Sequence, residues 1–391
     1  MANITDATLY LWVYKGTFGN KPANPNYVLS KTAKQGEETI VFEIAELVKD
    51  YVEVTFTGNY NTIVETAWAE WEIVQNYDDL TTQTQIGESI AVNGYGYFED
   101  GINPNLKKGA LINNTIIYTL PYTNAVAGID ASTTTVKADT TLYTADNSDS
   151  TGAQNDLHIP IFTGVNGAYK ADYYQGNTLL RTDTFGSPIS TITADNGVIT
   201  ADSTSYTADM NLAAGVSSSV IVRVVPPANT DRVVVTNNDN TTETITIKVI
   251  QECKYTPYKV SFLNQYGVVQ DLWFFKRRDE SVNISKNKFL QNTIQQSATG
   301  VSYSLNQASQ VPMDFKVTKS LKLNTGFIDE QYNEIIQELM LTESAWIHED
   351  SNVFPIVPST SNLEYKTQLN DKLINFTIDF DYAYNEINLI K

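Results

Sequence analysis

The strongest constraint on the fold is the alternation of apolar and polar side chains in KLINFTIDFDYAY, residues 372–384. Apolar side chains occupy every second position, namely Ile374, Phe376, Ile378, Phe380 and Tyr382. Because successive side chains of a β-strand point to opposite faces of a sheet, this period predicts a strand with one buried face. It is the clearest strand signal in the chain, and it indicates a sheet-based fold.

Shorter runs rich in β-branched and aromatic residues recur along the chain, separated by turns that contain Gly, Pro or Asn. These runs predict strands at 8–14, 39–44, 52–56, 66–74, 111–120, 219–225, 231–236, 242–250 and 317–323. Two more apolar runs, 254–267 and 271–278, open the last third, and a polar stretch follows them to about residue 310. We therefore predict a mainly β protein with tandem β-sandwich or barrel-like domains.

Two segments have helical periodicity. Residues 43–51 (EIAELVKDY) are sufficient for one or two turns, and residues 328–341 (IDEQYNEIIQELML) predict one amphipathic helix. In the second segment, Asp329 and Glu330 would lie in the first turn, where acidic side chains are favourable. The apolar stripe of this helix consists of Ile328, Tyr332, Ile335, Ile336 and Leu339.

A chain of 391 residues is long enough for two or three domains. We predict an N-terminal β domain with a short helix at 1–125, a Thr- and Asp-rich β domain at 126–253, and an α+β assembly domain at 254–391. Within the second domain, residues 128–213 are rich in Thr, Ala, Asp, Ser and Gly and repeat the tetrapeptide TADN. The spacing is irregular, so it does not indicate a solenoid, whose repeats have a fixed period.

The charge of the chain argues against nucleic acid as a partner. Twenty-six basic residues stand against 45 acidic ones, which gives a net charge of −19. A chain with this balance has no overall basic surface to neutralise phosphates. The hydrophobic content of 42% predicts a folded protein, and its apolar runs are too interrupted to cross a membrane.

Cys253 is the only cysteine, so an intrachain disulfide is impossible and the fold must rely on packing. The N-terminal segment has no basic residue before its short apolar run, and that run alternates as a strand does. We therefore expect cytoplasmic synthesis without a secretory signal.

Residues suited to catalysis are few. His158 and His348 are the only histidines, and neither lies in an HExxH pattern or beside the cysteine. The HED string at 348–350 is more typical of a solvated turn than of a metal site. Phosphate-binding GxxxxGK and GxGxxG patterns do not occur. We predict no enzymatic activity, no cofactor and no bound metal.

Three other patterns admit a functional interpretation. Asp379 and Asp381 can be considered as a carboxylate pair for glycoside hydrolysis, and Trp68 and Trp71 can be considered as a platform for stacking sugars. The basic cluster 276–278 can be considered as a contact for DNA. For these patterns we favour a solvated sheet face, core packing or an interface anchor, and salt bridging at a strand end.

The Asp- and Asn-rich segments 146–152 and 237–240 carry oxygen ligands of the kind that calcium prefers. Neither has the twelve-residue loop that ends in a glutamate. We predict turns at both.

Three blocks resemble virion proteins of tailed phages that infect Bacteroidetes, including the crAss-like group. The first joins LYLWVYKG and TIVFEIAELVKDY, and the second is CKYTPYKVSFLNQYGVVQDLWFFKR. The third joins KSLKLNTGFIDEQYNEIIQELMLTESAWI and YKTQLNDKLINFTIDFDYAYNEINLI. The resemblance covers about two-thirds of the chain, excludes residues 128–213, and carries over no functional residue.

The resemblance implies a structural component of a virion, most simply a ring subunit of the tail, neck or baseplate, or an adaptor that anchors fibres. Its expected partners are copies of itself and other tail or neck proteins, with no nucleic acid and no membrane. The alternative is a receptor- or carbohydrate-binding fibre protein. The expected assembly contacts are Ile374, Phe376, Ile378, Phe380, Trp273 and Trp346.

Overall fold

The fold is known from a computed structural model. It describes residues 3–16, 20–34, 39–60, 63–95, 111–113, 140–145, 157–162, 169–185, 221–236, 242–265, 267–330, 332–350, 352–362 and 373–384.

The first sheet is antiparallel and lies in the N-terminal part of the chain. Its strands are β1 (Ile4–Tyr14), β2 (Tyr27–Thr32), β3 (Thr66–Tyr77), β4 (Thr82–Val92) and β5 (Leu111–Asn113). Their order is β2-β1-β3-β4-β5. Ala67 and Ala69 of β3 belong to the apolar cluster that contains Val48 of the short helix α1 (Ala45–Lys49), so this helix covers one face of the sheet.

The second sheet lies in the middle of the chain. Its strands are β6 (Thr140–Ala145), β8 (Tyr169–Gln175), β9 (Thr178–Phe185), β11 (Arg232–Thr236) and β12 (Thr242–Ile250). Their order is β6-β12-β11-β8-β9, and only the β6–β12 pair is parallel. The strands β7 (Ile159–Phe162) and β10 (Ile221–Val224) form a separate antiparallel pair.

The third sheet is antiparallel and has seven strands. They are β13 (Tyr258–Leu263), β14 (Val269–Phe274), β15 (Asp279–Leu290), β18 (Gln310–Asn324), β20 (Ala345–Glu349), β21 (Asn352–Pro358) and β23 (Thr377–Tyr382). Their order is β14-β13-β20-β21-β23-β18-β15, which places β23 near the middle.

Four short strands and one helix complete the C-terminal part. The strands form two antiparallel pairs, β16 (Ile294–Ser297) with β17 (Gly300–Tyr303) and β19 (Ile328–Asp329) with β22 (Leu373–Ile374). The helix α2 (Tyr332–Leu341) packs its apolar stripe into the same cluster as Phe380 and Ile378 of β23.

The prediction of a mainly β protein is confirmed. Among the described residues, several sheets form and none closes into a barrel, so the barrel-like alternative is not found. The alternation of the last strand is also found, because Ile374, Phe376, Ile378, Phe380 and Tyr382 are all buried. A break at residues 375 and 376 divides this segment into β22 and β23.

Two predicted strands are wrong. Residues 39–44 and 52–56 belong to no sheet, although Val52, Val54 and Phe56 are buried and the residues between them are exposed. Residues 52–56 therefore alternate in burial because they lie on an apolar surface, and no described strand pairs with them. Burial of one face determines the two-residue period of apolar side chains. Pairing also requires the edge of a neighbouring strand, which the local sequence does not show.

The long helix was predicted to begin four residues too early. Ile328 and Asp329 pair with Ile374 and Leu373 in a two-stranded ladder, and the helix begins at Tyr332. Of the predicted strand 111–120, only residues 111–113 lie within the described residues, and most of 128–213 lies outside them.

The large sheets occupy separate parts of the chain, yet their cores are shared. Tyr143 of β6 belongs to the main C-terminal cluster, and the Tyr332 hydroxyl of α2 donates a hydrogen bond to the Thr141 carbonyl at 3.0 Å. Phe56 packs with Leu263 and Trp346 in a further cluster. The domain boundaries remain a prediction, but the three parts pack on one another through apolar contacts.

Gly87 of β4 has a packing role that can be tested. A Cβ atom at this position would lie 2.4 Å from the nearest ring carbons of Trp71, the residue directly opposite on β3. We expect Gly87→Ala to lower the free energy of unfolding by about 1–3 kcal/mol, because the indole must leave its place over the glycine. Chemical denaturation measures this, and in a Trp71→Val background the same change should have little effect.

Candidate functional site

Strands β15 and β18 extend beyond the third sheet as a two-stranded ribbon. β18 pairs with β23 only from Ser320 to Asn324, whereas its pairing with β15 continues outward to Gln310 opposite Leu290. All twelve residues of β15 are exposed. At about 3.4 Å per residue, a strand of this length spans roughly 40 Å. The β16–β17 hairpin lies at the outer end, and we call residues 282–319 the ribbon.

The register gives the inner part of the ribbon one apolar and one polar face. Ile284 lies opposite Val317 on one face, and Asn283 lies opposite Thr318 on the other. Val282 and Ile284 are 56% and 54% exposed. The apolar face of an amphipathic ribbon is suited to packing. Here the two side chains on that face of β15 are exposed to solvent.

Exposed apolar side chains are concentrated in the ribbon. The large exposed hydrophobic residues between 282 and 313 are Val282, Ile284, Phe289, Leu290, Ile294, Val301, Tyr303, Leu305 and Met313. Single exposed apolar residues need no explanation, but concentrations of exposed apolar side chains are typical of interaction surfaces. Two-stranded hairpins are also marginally stable alone in water, so the outer ribbon gains stability from any surface that covers it.

The predicted assembly contacts lie elsewhere, inside the core of this chain. Ile374, Phe376, Ile378, Phe380 and Trp273 all belong to the main C-terminal cluster. Trp346 packs with Phe56, with the ring centroids 5.4 Å apart. In this fold these side chains stabilise the C-terminal part itself, so the exposed surface available for assembly is formed by other residues.

Trp68 and Trp71 lie on opposite faces of β3, since they are three residues apart on a strand. Trp68 is buried and its Nε1 donates to the Gly16 carbonyl at 2.9 Å. Trp71 packs against the cluster around α1. The two rings therefore cannot form one platform for a sugar.

A buried polar junction joins residues from distant parts of the chain. The Tyr60 hydroxyl donates to Asp271 at 2.7 Å, Ser261 Oγ donates to Asp271 at 2.6 Å, and Ser261 Oγ lies 2.7 Å from His348 Nε2. The Tyr60 ring stacks on the ring of His158 at 3.9 Å. Burial, followed by the charge of Asp271, raises the pKa of Tyr60, which therefore keeps its proton.

These residue types match a Ser–His–Asp triad, but their arrangement does not. In a triad the carboxylate holds the imidazole and the serine proton points to that imidazole. Here the Ser261 hydroxyl donates its hydrogen bond to the carboxylate, so Oγ accepts a hydrogen bond from Nε2, and Ser261 is fully buried. The junction connects the three parts of the chain and does not support acyl transfer.

A second buried contact, the ion pair between Glu65 and Arg223, has the same connecting role. The side chains are 1% and 7% exposed. The Val269 N–H donates to Glu65 Oε1 at 2.7 Å, so one carboxylate ties the N-terminal, middle and C-terminal parts together.

The remaining candidates are engaged in ion pairs or hydrogen bonds. Lys276 pairs with Glu252 at 2.6 Å and Arg277 with Asp279 at 2.6 Å. Arg278 pairs with Glu349 and Glu280. Asp379 pairs with Lys322 at 3.2 Å, and the Ser320 hydroxyl donates to Asp381.

These contacts place the basic cluster at a salt-bridged strand end, and they hold both aspartates against β18. Within the described part of the chain, no group of three or more His, Cys, Asp or Glu side chains is arranged to hold a metal. The segments 146–152 and 237–240 lie outside that part.

A crevice of about 380 Å³ lies where the N-terminal and C-terminal parts meet. Its lining includes Lys49 of α1, Tyr95 and Asn264. Beside it, the N–H of Gln265 donates to the carboxyl of Glu338 at 3.2 Å, and burial raises the pKa of Glu338 to about 8.

This raised pKa predicts that stability depends on pH. Folded Glu338 keeps a proton that the unfolded chain releases above about pH 4.3, so its contribution is complete below that pH and is lost as pH rises through 8. We expect Glu338→Gln to gain in relative stability from pH 5 to pH 8.5, measured by denaturation midpoints. Glu334→Gln, an exposed neutralisation on the same helix, is the control; an equal gain there would contradict the prediction.

Comparisons of the chain with known protein families, with curated proteins and with solved structures find no match. Among the described residues, neither helix has the length and hydrophobicity required to cross a membrane.

The sequence analysis does not predict the ribbon, because residues 279–310 form a polar stretch. The signal was present in the alternation of Val282 and Ile284 with polar neighbours. Lysine and asparagine are interspersed with the apolar residues of these strands, as expected for strands that are not buried in their own subunit.

Proposed function

We propose that this protein is a structural subunit of a tailed phage virion, a ring component of the tail, neck or baseplate or a fibre-anchoring adaptor, that assembles with copies of itself. The observation that carries the proposal is the exposed apolar ribbon. A chain that worked alone would keep this surface in water, whereas assembly would cover it. The resemblance of three sequence blocks to virion proteins supports the same role.

The junctions of the fold fit this role. The Tyr60–Asp271 hydrogen bond and the Glu65–Arg223 ion pair join distant segments in the interior. They stabilise the contacts between the parts of the subunit from which the ribbon extends. The described residues bring together no set of side chains arranged for catalysis, and the acidic charge keeps free subunits apart before assembly.

Light scattering on the full chain over a concentration series tests the proposal, with negative-stain imaging of any large species. A discrete ring, such as six or twelve copies, would place the protein on the axis of a tail or neck, and a trimer would favour a fibre anchor. A monomer at every concentration would overturn the self-assembly proposed here. Mass spectrometry of purified phage particles should also detect its peptides.

In the matched variant, an Asn-Gly turn replaces the residues between Ser285 and Lys316. Because these two residues are opposite each other on β15 and β18, the turn connects the two strands and the outer part of the ribbon is removed. We expect this variant to fold, with a circular dichroism spectrum that keeps the β-sheet signal of the wild type, and to remain monomeric. Assembly of this variant to the same size as the wild type would show that the ribbon is not the contact.

A further inference from the structure

A row of four side chains crosses the face of the first sheet that is turned away from α1. The alternate residues of β1, β2 and β3 point the other way, into the cluster around α1. The register places Val28 opposite Tyr10, Tyr10 opposite Glu72, and Glu72 opposite Ile86. Val28 and Ile86, at the two ends of the row, are 54% and 82% exposed. We call these four residues the outer row, and its exposed apolar ends are suited to packing against another sheet.

Glu72 is the charged member of the outer row. It is half-buried, and among the described residues no ion pair or hydrogen bond engages its carboxylate. Glu70, on the same face, differs because it accepts a hydrogen bond from Tyr14 and pairs with Lys21 at 3.3 Å. Removing the remaining water from a carboxylate is unfavourable unless a cation or a hydrogen-bond donor replaces it. A partner that covers the outer row must therefore bring a positive charge between apolar side chains.

One face of β15 has this order of side chains. Ile284, Lys288 and Leu290 are an even number of residues apart on the strand, so they point to the same side. Ile284 and Leu290 are 54% and 79% exposed, and no ion pair or hydrogen bond within the described part of the chain engages Lys288. Lys286 lies on the same face but already interacts within its own chain. We call Ile284, Lys288 and Leu290 the ribbon row.

The two rows are complementary in order and in charge. In each row one charged side chain lies between exposed apolar ones, and the two charges are opposite. At about 4.8 Å between strands and about 3.4 Å per residue along a strand, the rows are roughly 14 and 20 Å long, so both fit within one sheet-on-sheet contact. Two outer rows would place Glu72 against Glu72, and two ribbon rows would place Lys288 against Lys288. Electrostatics therefore favours the mixed contact over either symmetric one.

The surrounding charges favour the same contact. The ribbon contains four lysines against a single aspartate, in a chain whose net charge is −19. The β3–β4 hairpin, residues 66–92, contains five acidic residues and no lysine or arginine. Attraction between the two regions of different copies should be strongest at low salt, where exposed charges are least screened.

We propose that the ribbon row of one copy packs on the outer row of a second copy, with Lys288 against Glu72 and Leu290 against Ile86. This inference rests on the proposed self-assembly and names its contact. The partner is a second copy because this chain carries both complementary surfaces. Because two different surfaces meet, the contact is heterologous, and repetition closes a ring or extends a filament.

Exchange of the two charges tests the contact in the full-length chain. We expect Glu72→Lys and Lys288→Glu each to raise the dissociation constant of the assembly about tenfold or more, because like charges then face each other. The chain with both changes should assemble as the wild type does, measured by light scattering at low salt. Glu53→Lys with Lys15→Glu, the same exchange at exposed positions outside both rows, is the control and should leave assembly unchanged.

Cross-linking tests the apolar part of the contact without altering its charges. In a Cys253→Ser background, a chain with Ile86→Cys and a chain with Leu290→Cys should form a disulfide-linked dimer when they assemble together under mild oxidation. Neither chain should form this dimer alone. A dimer of Leu290→Cys alone would show that two ribbons meet, and the absence of a cross-link in the mixture would also contradict the contact. All three positions are exposed, so the unfolding midpoint of the subunit should not change.

The outcomes separate this inference from the proposed function. If the wild type assembles and the single changes at Glu72 and Lys288 act no more than the control, the proposed contact is wrong while self-assembly stands. Loss of assembly in both single variants without recovery in the double variant would exclude the outer row as the receiving surface. A wild type that remains monomeric at every concentration would overturn self-assembly and this contact together.

Discussion

Replacing Arg223 by Met should lower the free energy of unfolding by about 3–5 kcal/mol, because a buried carboxylate loses its counter-charge. Glu65 is 1% exposed, and apart from the guanidinium its carboxylate accepts a hydrogen bond from the Val269 N–H. Water cannot replace the guanidinium at this depth. Denaturation of the full-length chain measures the loss, and proteolysis should become faster because the three parts are no longer tied at this point.

Two further variants make this expectation specific. Adding Glu65→Gln to Arg223→Met removes the uncompensated charge and should recover most of the lost stability. Lys49→Met breaks the exposed pair with Glu343, whose side chains are 50% and 63% exposed, and should cost less than about 1 kcal/mol. Equal losses in Arg223→Met and Lys49→Met would show that the buried pair has no special role.

Phe380→Ala should also lower the free energy of unfolding by about 3–5 kcal/mol, because it opens a cavity in the main core. Phe380 is fully buried in β23, between β21 and β18, and its ring meets that of Phe274 edge to face at 5.9 Å. Chemical denaturation is again the measurement. A loss below that of typical core truncations would mean that the neighbouring side chains close the cavity.

Asp379→Asn is the matched control on the same strand. Asp379 lies on the polar side, with a side chain 46% exposed, and pairs with Lys322. Its change should cost less than about 1 kcal/mol, since exposed ion pairs contribute little. A large loss there would contradict the assignment of the two faces of β23.

The prediction of strands succeeded where one face of the strand is buried within the same subunit. The strands that overlap their predicted ranges include β1, β3, β11, β12 and β23. Burial alternates along β11 and β23, which contact a core on one side, whereas residues 11–14 of β1 and 66–69 of β3 are buried on both faces. The segment 52–56 shows the limit of this signal, because it has the same burial period although no described strand pairs with it.

The predicted assembly contacts illustrate a second limit. Large apolar side chains such as those of Phe376 and Trp273 are typical of interface anchors, and they are equally typical of cores. Composition does not distinguish the two environments, and here the helix α2 and the seven-stranded sheet enclose both residues. Lysine and asparagine are interspersed along the ribbon, yet nine of its large apolar side chains are exposed.

The sequence alone determined the mainly β class, the buried face of the last strand and the amphipathic helix near the C-terminus, because each depends on a local period. Tertiary structure decided which segments pair, that Glu65 meets Arg223, that the Ser261 hydroxyl donates a hydrogen bond to Asp271, and that β15 extends into solvent. These features join residues far apart in the chain, and their energies depend on burial and geometry that no local pattern records.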